Sequence, residues 1–181
     1  NLEQFVEEAK AAPGSVKMGT VSGTLPMFAA MYLQQQAGAE FNLVDLSHNK
    51  APELMSNRVD AYIDGFGAVK QFIDSGEFTC IALFSAQDIE GYEHLDNLAE
   101  LGYEGYEYLE QSFGMWAPKG TPAEAVEFIN GVIKQTAEDP DCAAELVAAG
   151  FSPAYMTVEE YTTYMADTYA KFIEAAQGLA G

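Results

Sequence analysis

Hydrophobic positions in the first part of the chain switch repeatedly between two periods. Leu2, Phe5, Val6 and Ala9 recur three and four residues apart, the spacing of one helix face, and Pro13-Gly14 ends the run. Residues 15–18 predict a short strand, which leads into Gly19-Thr20-Val21-Ser22-Gly23-Thr24, a loop of small and hydroxyl-bearing residues. Phe28, Ala29, Met31, Tyr32 and Leu33 predict a helix closed by Gly38. Residues 41–46 read as a second strand, 51–56 as a short helix, and 59–63 as a third strand ending at Asp64-Gly65-Phe66-Gly67. Val69, Phe72 and Ile73 mark a helix stopped at Ser75-Gly76, and the apolar run 78–84 predicts a buried strand. Strands alternating with helices predict parallel βαβ units in a layered α/β domain.

The pattern changes after residue 85. Residues 86–107 are acidic, rich in tyrosine and broken by glycine, and Tyr103, Tyr106 and Tyr108 predict a loop packed onto the domain. Residues 107–116 read as a long strand, and 151–154 as a short one. From Ala117 onward the chain is mainly helical. Thr121 with Pro122 and Glu124, Asp139 with Pro140, and Thr157 with Glu160 are three helix-start signals. The last helix presents Val158, Tyr161, Met165, Tyr169, Phe172 and Ile173 on one face. Amphipathic helices need a surface to cover, and residues 122–178 bring almost no sheet of their own.

The chain has 181 residues, 49% of them hydrophobic, which excludes a disordered polymer and allows one or two domains with a core. Its 28 acidic residues against 8 basic ones give a net charge of −20. That disfavours nucleic acid and anionic membrane surfaces, both of which are held through lysine and arginine clusters. An anionic ligand would have to be held by local dipoles rather than by net charge. Cys80 lies in an apolar run and reads as a buried thiol; no CxxC or His/Cys cluster is present, so neither a metal nor another cofactor is predicted. No apolar run is long enough to span a membrane and no signal peptide is visible in the chain, so direct membrane insertion is not expected.

The loop at 20–24 stands between a strand end and a helix start. Free backbone N–H groups and the positive end of the helix dipole suit a carboxylate or phosphate there. Gly19 and Gly23 let backbone approach a ligand, Gly23 with access to positive φ, while Thr20, Ser22 and Thr24 add hydroxyls. A hydrolase is the alternative, with Ser22, His48 or His94, and Asp60 or Asp64 as a triad. The sequence around Ser22 lacks the Gly-x-Ser-x-Gly elbow, and it matches neither phosphate-loop motif of nucleotide-binding proteins. The carboxylate pairs Glu7-Glu8 and Glu159-Glu160 fall on helix faces and read as solvated surface.

An ordered set of motifs resembles the receptor family of the tripartite tricarboxylate transporters, the Bug-type solute-binding proteins. It comprises Ala11-Ala12-Pro13-Gly14, Gly23-Thr24 with Ala29 and Gly38, Lys50-Ala51-Pro52-Glu53-Leu54, and Val59-Asp60 with Asp64. Ile73-Asp74-Ser75-Gly76 before Ile81-Ala82-Leu83 follows, then Gly105-Tyr106-Glu107, Phe113-Gly114, Ala117-Pro118-Lys119-Gly120-Thr121-Pro122 and Asp139-Pro140. The resemblance covers the C-terminal two-thirds of the family pattern. It implies an α/β, periplasmic-binding-protein-like (Venus flytrap) fold, with one lobe nearly complete and the other represented mainly by its C-terminal helices. Residues 1–83 would form the second lobe, 84–117 the hinge and crossing segment, and 118–181 first-lobe helices whose strands are expected to precede Asn1.

The resemblance further implies a non-catalytic, periplasmic or extracytoplasmic receptor. It would capture a small organic carboxylate (a di- or tricarboxylate, an acidic amino acid or an aromatic acid) and deliver it to membrane permease subunits. Thr20, Val21, Ser22, Gly23 and Thr24 would hold the ligand carboxylate. Asp64 would sit at the pocket edge, facing a ligand amine or hydroxyl, with Ser47, Gly65 and Phe66 lining nearby loops. Half of such a clamp would bind its ligand weakly or not at all. Met27 stands where the family usually has histidine, Gly65 where it often has asparagine, and Ser112 where it often has tryptophan, departures that bear on the ligand.

Overall fold

The structure is a computed structural model describing residues 1–46, 50–85 and 88–179. It divides into two compact units, residues 1–111 with 172–181, and residues 112–171.

In the first unit, helix α1 (Leu2–Ala11) starts at a capping box. The Asn1 side chain accepts from the Gln4 amide at 3.0 Å, and Gln4 reaches back to the Asn1 amine. Leu2, Val6 and Ala9 are its buried stripe. Strand β1 (Lys17–Thr20) is followed by α2 (Leu25–Ala37), which has Pro26 in its first turn and Gly38 at φ 62° as its left-handed stop. Strand β2 (Asn42–Asp45), helix α3 (Lys50–Met55), the two-residue strand β3 (Ala61–Tyr62) and helix α4 (Phe66–Asp74) complete the alternation. The sheet order is β2-β1-β3, and both pairings are parallel, with Thr20 opposite Asp45 and Gly19 opposite Tyr62. A layered α/β fold was expected and is observed.

The strand expected at 15–18 lies two residues later, so Gly19 and Thr20 belong to β1 and not to the loop. Gly19 serves close packing there. A Cβ would stand 2.5 Å from Leu46 Cδ1 and 3.1 Å from Tyr62 Cβ, so the missing side chain admits neighbouring side chains, not a ligand. Ladder formation begins unusually before β3. The Lys17 amide donates to the Asp60 carboxylate and the Asp60 amide to the Lys17 carbonyl, each at 2.8 Å.

The apolar run 78–84 is not a strand; it makes only an isolated parallel bridge, Leu83 to Asn97. Its rings are satisfied by stacking instead: Phe78 lies 4.5 Å from Phe72 and edge-on to Tyr62 at 6.0 Å. Cys80 is half-buried, and burial raises its thiol pKa. Tyr106 and Tyr108 are buried against Tyr32, so the tyrosine-rich segment packs as a loop onto the core.

Residues 107–116 also fail to form the expected strand. A single 3-10 turn (Glu107–Leu109) is followed by irregular chain in which Phe113, Met115 and Trp116 are about 70% exposed. Among the described residues they have no strand to pair with, and an unpaired strand is not stable alone. The same holds for 151–154, which is irregular.

The second unit is helical: α5 (Ala123–Glu138), α6 (Pro140–Ala148) and the start of α7 (Val158–Leu179). Thr121 does not cap α5. Its hydroxyl turns back to the Pro118 carbonyl at 2.8 Å and the helix starts one residue later, after Pro122. Asp139 caps α6 as expected, accepting from the Asp141 and Cys142 amides at 3.0 Å. Thr157 and Glu160 form the expected capping box at α7.

Candidate functional site

Parallel strands deliver their carboxyl ends to one edge, and in open α/β sheets ligands bind outside that edge where strand order reverses. Here β1 is central: α2 connects it to β2 on one side, the next connection runs from β2 past β1 to β3 on the other, and the loops after β1 and β3 flank the reversal. Helices α2 and α4 begin directly after those loops. Their cap residues, Thr24 and Gly65, are in extended conformations and give no side-chain cap. Two helix starts therefore aim their positive dipole ends at this edge.

Each residue singled out from the sequence has a definite place. Thr20 is 2% exposed and ends β1, its carbonyl accepting from the Leu46 amide at 2.7 Å. Val21 is half-buried, while Ser22 and Gly23 are exposed. Gly23 takes φ 72°, with open space where a Cβ would be. The Thr24 hydroxyl donates to the Val21 carbonyl at 2.6 Å, closing the turn on itself. Asp64, Gly65 and Phe66 form the β3 loop and the first residue of α4. The Gly65 amide donates to Asp64 Oδ1 at 3.0 Å, and the Phe66 ring packs edge-on to Tyr92 at 4.8 Å. Ser47 lies outside the described residues, as does His48.

Three residues of this edge were not anticipated as site residues. Asp45, the last residue of β2, accepts from Ser22 Oγ at 2.6 Å and from the Ser22 amide at 3.4 Å. Lys50, the first residue of α3, forms an ion pair with Asp64 Oδ2 at 2.8 Å and donates to the Ile63 carbonyl at 3.3 Å. The lysine side chain is 13% exposed and its carboxylate partner 29%. Tyr62 lies beneath, with Lys50 Nζ 5.9 Å from its ring centroid. Burial, helped by the Asp64 charge, pushes the Tyr62 phenol up to about 12, so it stays neutral. A signal for Asp45 was available in its position at a strand's carboxyl end, and one for Lys50 in its being a rare cation of an acidic chain.

The triad geometry of a hydrolase is not formed among the described residues. Ser22 donates to a carboxylate instead of an imidazole. Asp60 accepts from Lys17, Asp64 is bound to Lys50, and His94 is exposed with its ring stacked on Tyr92. No group of acidic, histidine and cysteine side chains able to hold a metal occurs among them either. Surface depressions of about 530 and 280 Å³ lie elsewhere, on faces of α7 and between α2 and Gly178. Neither is lined by the strand-end loops.

A family model described as the tripartite tricarboxylate transporter family receptor matches residues 1–179. Protein BugT of Bordetella pertussis is 25% identical over 170 residues, a match covering 92% of this chain and 52% of the relative. A protein from the gbd 5′ region of Cupriavidus necator is 22% identical, with 94% and 52% covered. The chain thus spans about half the length of the curated relatives it matches. Among solved structures, R. palustris Rpa4515 with adipate superposes with a TM-score of 0.82 at 22% identity, over 99% of this chain and 61% of the other. A TctC solute-binding protein from Polaromonas, without ligand, gives 0.72 at 22% identity, over 98% and 62%. These likenesses show the fold, that of periplasmic solute-binding proteins.

Proposed function

The chain belongs to the tripartite tricarboxylate transporter receptor family, and on that premise we propose that it is a non-catalytic solute receptor working outside the cytoplasm. It captures a small organic carboxylate and hands it to permease subunits in the membrane. The observation that carries this reading is the shared sheet edge, where α2 and α4 both begin without a side-chain cap beside the β1 and β3 loops. Backbone N–H groups of Val21, Gly23 and Phe66 are the donors we assign to the ligand carboxylate, with bridging water where a direct bond does not reach. The Ser22, Thr24 and Gly65 amides already donate to Asp45, Val21 and Asp64 and line the loops. Thr20 is assigned a supporting role, its side chain being buried in β1. The adipate in the R. palustris neighbour supports a carboxylate as the ligand class.

We assign residues 1–83 to the lobe that carries these loops, together with residues 84–111 and the end of α7 that group with them, and residues 118–171 to helices of the opposing lobe. No helix among the described residues is long and apolar enough to cross a membrane. Titration calorimetry with organic acids, on the protein expressed from its whole reading frame, tests the reading. At least one acid is expected to bind more tightly than ~1 mM, the threshold of a useful receptor, with no turnover of a generic ester. Ester hydrolysis without acid binding would reverse the assignment in favour of Ser22 chemistry.

A further inference from the structure

The sheet edge carries charges of its own, and their arrangement restricts which carboxylates fit. Two of its carboxylates have different company. Asp64 is neutralised by Lys50 at 2.8 Å, and its other oxygen takes the Gly65 amide at 3.0 Å. Asp45 has no such cation: among the described residues no lysine or arginine pairs with it, and its partners are the amide and hydroxyl of Ser22. Asp45 therefore already occupies, with an internal carboxylate, two donors of the loop after β1. A ligand carboxylate arriving at Ser22 would meet a like charge and spent donors. Among the described residues the edge holds one ammonium, Lys50, and two carboxylates, Asp45 and Asp64, in a chain of net charge −20. Nothing at the described edge offsets a second ligand carboxylate.

Building on the receptor reading above, we infer that Asp45 is a specificity-determining residue and that the ligand is a zwitterion, one carboxylate and one ammonium, rather than a di- or tricarboxylate. The ligand carboxylate lies toward the starts of α2 and α4. Its ammonium donates to the cation-free Asp45 carboxylate, which is exposed at the end of β2. Opposite charges at hydrogen-bond distance favour that arrangement, and like charges disfavour the dicarboxylate. The Lys50–Asp64 pair, with Tyr62 beneath it, is assigned the positioning of the β3 loop.

Matched ligands read this directly. Calorimetry on the protein from its whole reading frame would compare adipate with 6-aminohexanoate, glutarate with 5-aminovalerate, and add the neutral α-amino acids. In each pair that binds, the amino acid is expected to bind tighter by about 10- to 100-fold, the range of one charge-assisted hydrogen bond. Asp45→Asn keeps the shape and the acceptor to Ser22 while removing the charge, and it should shrink that ratio at least ~10-fold. A dicarboxylate bound better than its amino partner by the unaltered protein would overturn the inference while leaving the receptor reading intact. A preference for the amino ligand that survives Asp45→Asn would overturn the role of Asp45. Failure of every compound to bind would overturn the receptor reading itself, and this inference with it.

Discussion

The two compact units use the same kind of helix in opposite circumstances. In the first, amphipathic helices cover a parallel sheet, and every buried residue of the described chain lies there. Leu33 and Leu98 are at most 2% exposed, and a cluster running from Leu2 through Met18 to Leu109 holds the layers together. In the second, α5 and α6 are as clearly amphipathic, yet Phe128 is 70% exposed and Ile129 and Val132 more than 40%. An apolar stripe makes a helix stable only when something covers it. The comparison teaches that periodicity specifies the helix, and burial specifies its contribution to stability.

Core truncation should separate the units most strongly. Leu33→Ala is expected to cost ~2–5 kcal/mol, the loss of a fully buried leucine plus its cavity. Phe128→Ala, on this 181-residue chain, should change stability by no more than about 0.5 kcal/mol because its ring is already in water. Chemical denaturation of both variants checks the contrast. Equal losses would show that α5 is covered in solution and would erase the distinction between the units.

Glycine gives a smaller effect of opposite sign in the two units. Gly19→Ala places a methyl against Leu46 and Tyr62 in the crowded sheet and should destabilise by about 1–3 kcal/mol. Gly131, inside α5, has no atom within 4 Å of its would-be Cβ. Gly131→Ala should therefore stabilise by roughly 0.5–1 kcal/mol, through helix propensity alone. A loss at Gly131 would point to a close neighbour of that helix face.

Sequence patterning made the layered α/β architecture legible because helix spacing and helix ends are local. Asn1, Gly38, Asp139 and Thr157 act within a few residues of themselves, and their elements stand close to where the pattern put them. Strands were read less well, since a strand exists only if a neighbour accepts its ladder. Run 78–84 is apolar enough, but the Phe78 amide donates back to the Phe72 carbonyl at the end of α4 and not to a neighbouring strand. The candidate site was legible as loops at strand ends. Its charges were not, because Asp45 reaches Ser22 only through the β1–β2 register and Lys50 reaches Asp64 only through the return of β3. Those contacts join residues up to 23 apart in the chain, and no local pattern encodes them.

Acid should produce the smallest and most local difference. Both described carboxylate caps belong to the second unit: Asp139 at α6 and Glu160 at α7. Backbone hydrogen bonds, from Cys142 to Asp139 and from Thr157 to Glu160, hold each carboxyl below its usual range. A folded pKa below the unfolded one gives stability that is complete above the unfolded value, near pH 4, and lost as pH falls through the folded value. In the first unit, α1 is capped by the Asn1 amide, which does not titrate. Asp74 is lowered too, by its bonds from Lys70 and Tyr92, but it ends α4 rather than capping a start. Hydrogen exchange at pH 5 and below pH 3, corrected for intrinsic rates, should show the first turns of α6 and α7 losing protection while that of α1 persists. Asp139→Asn sharpens the case: asparagine caps as well as aspartate, so α6 should lose its acid sensitivity and keep its protection. Equal fraying of α1 would mean that global charge, and not the caps, governs the response.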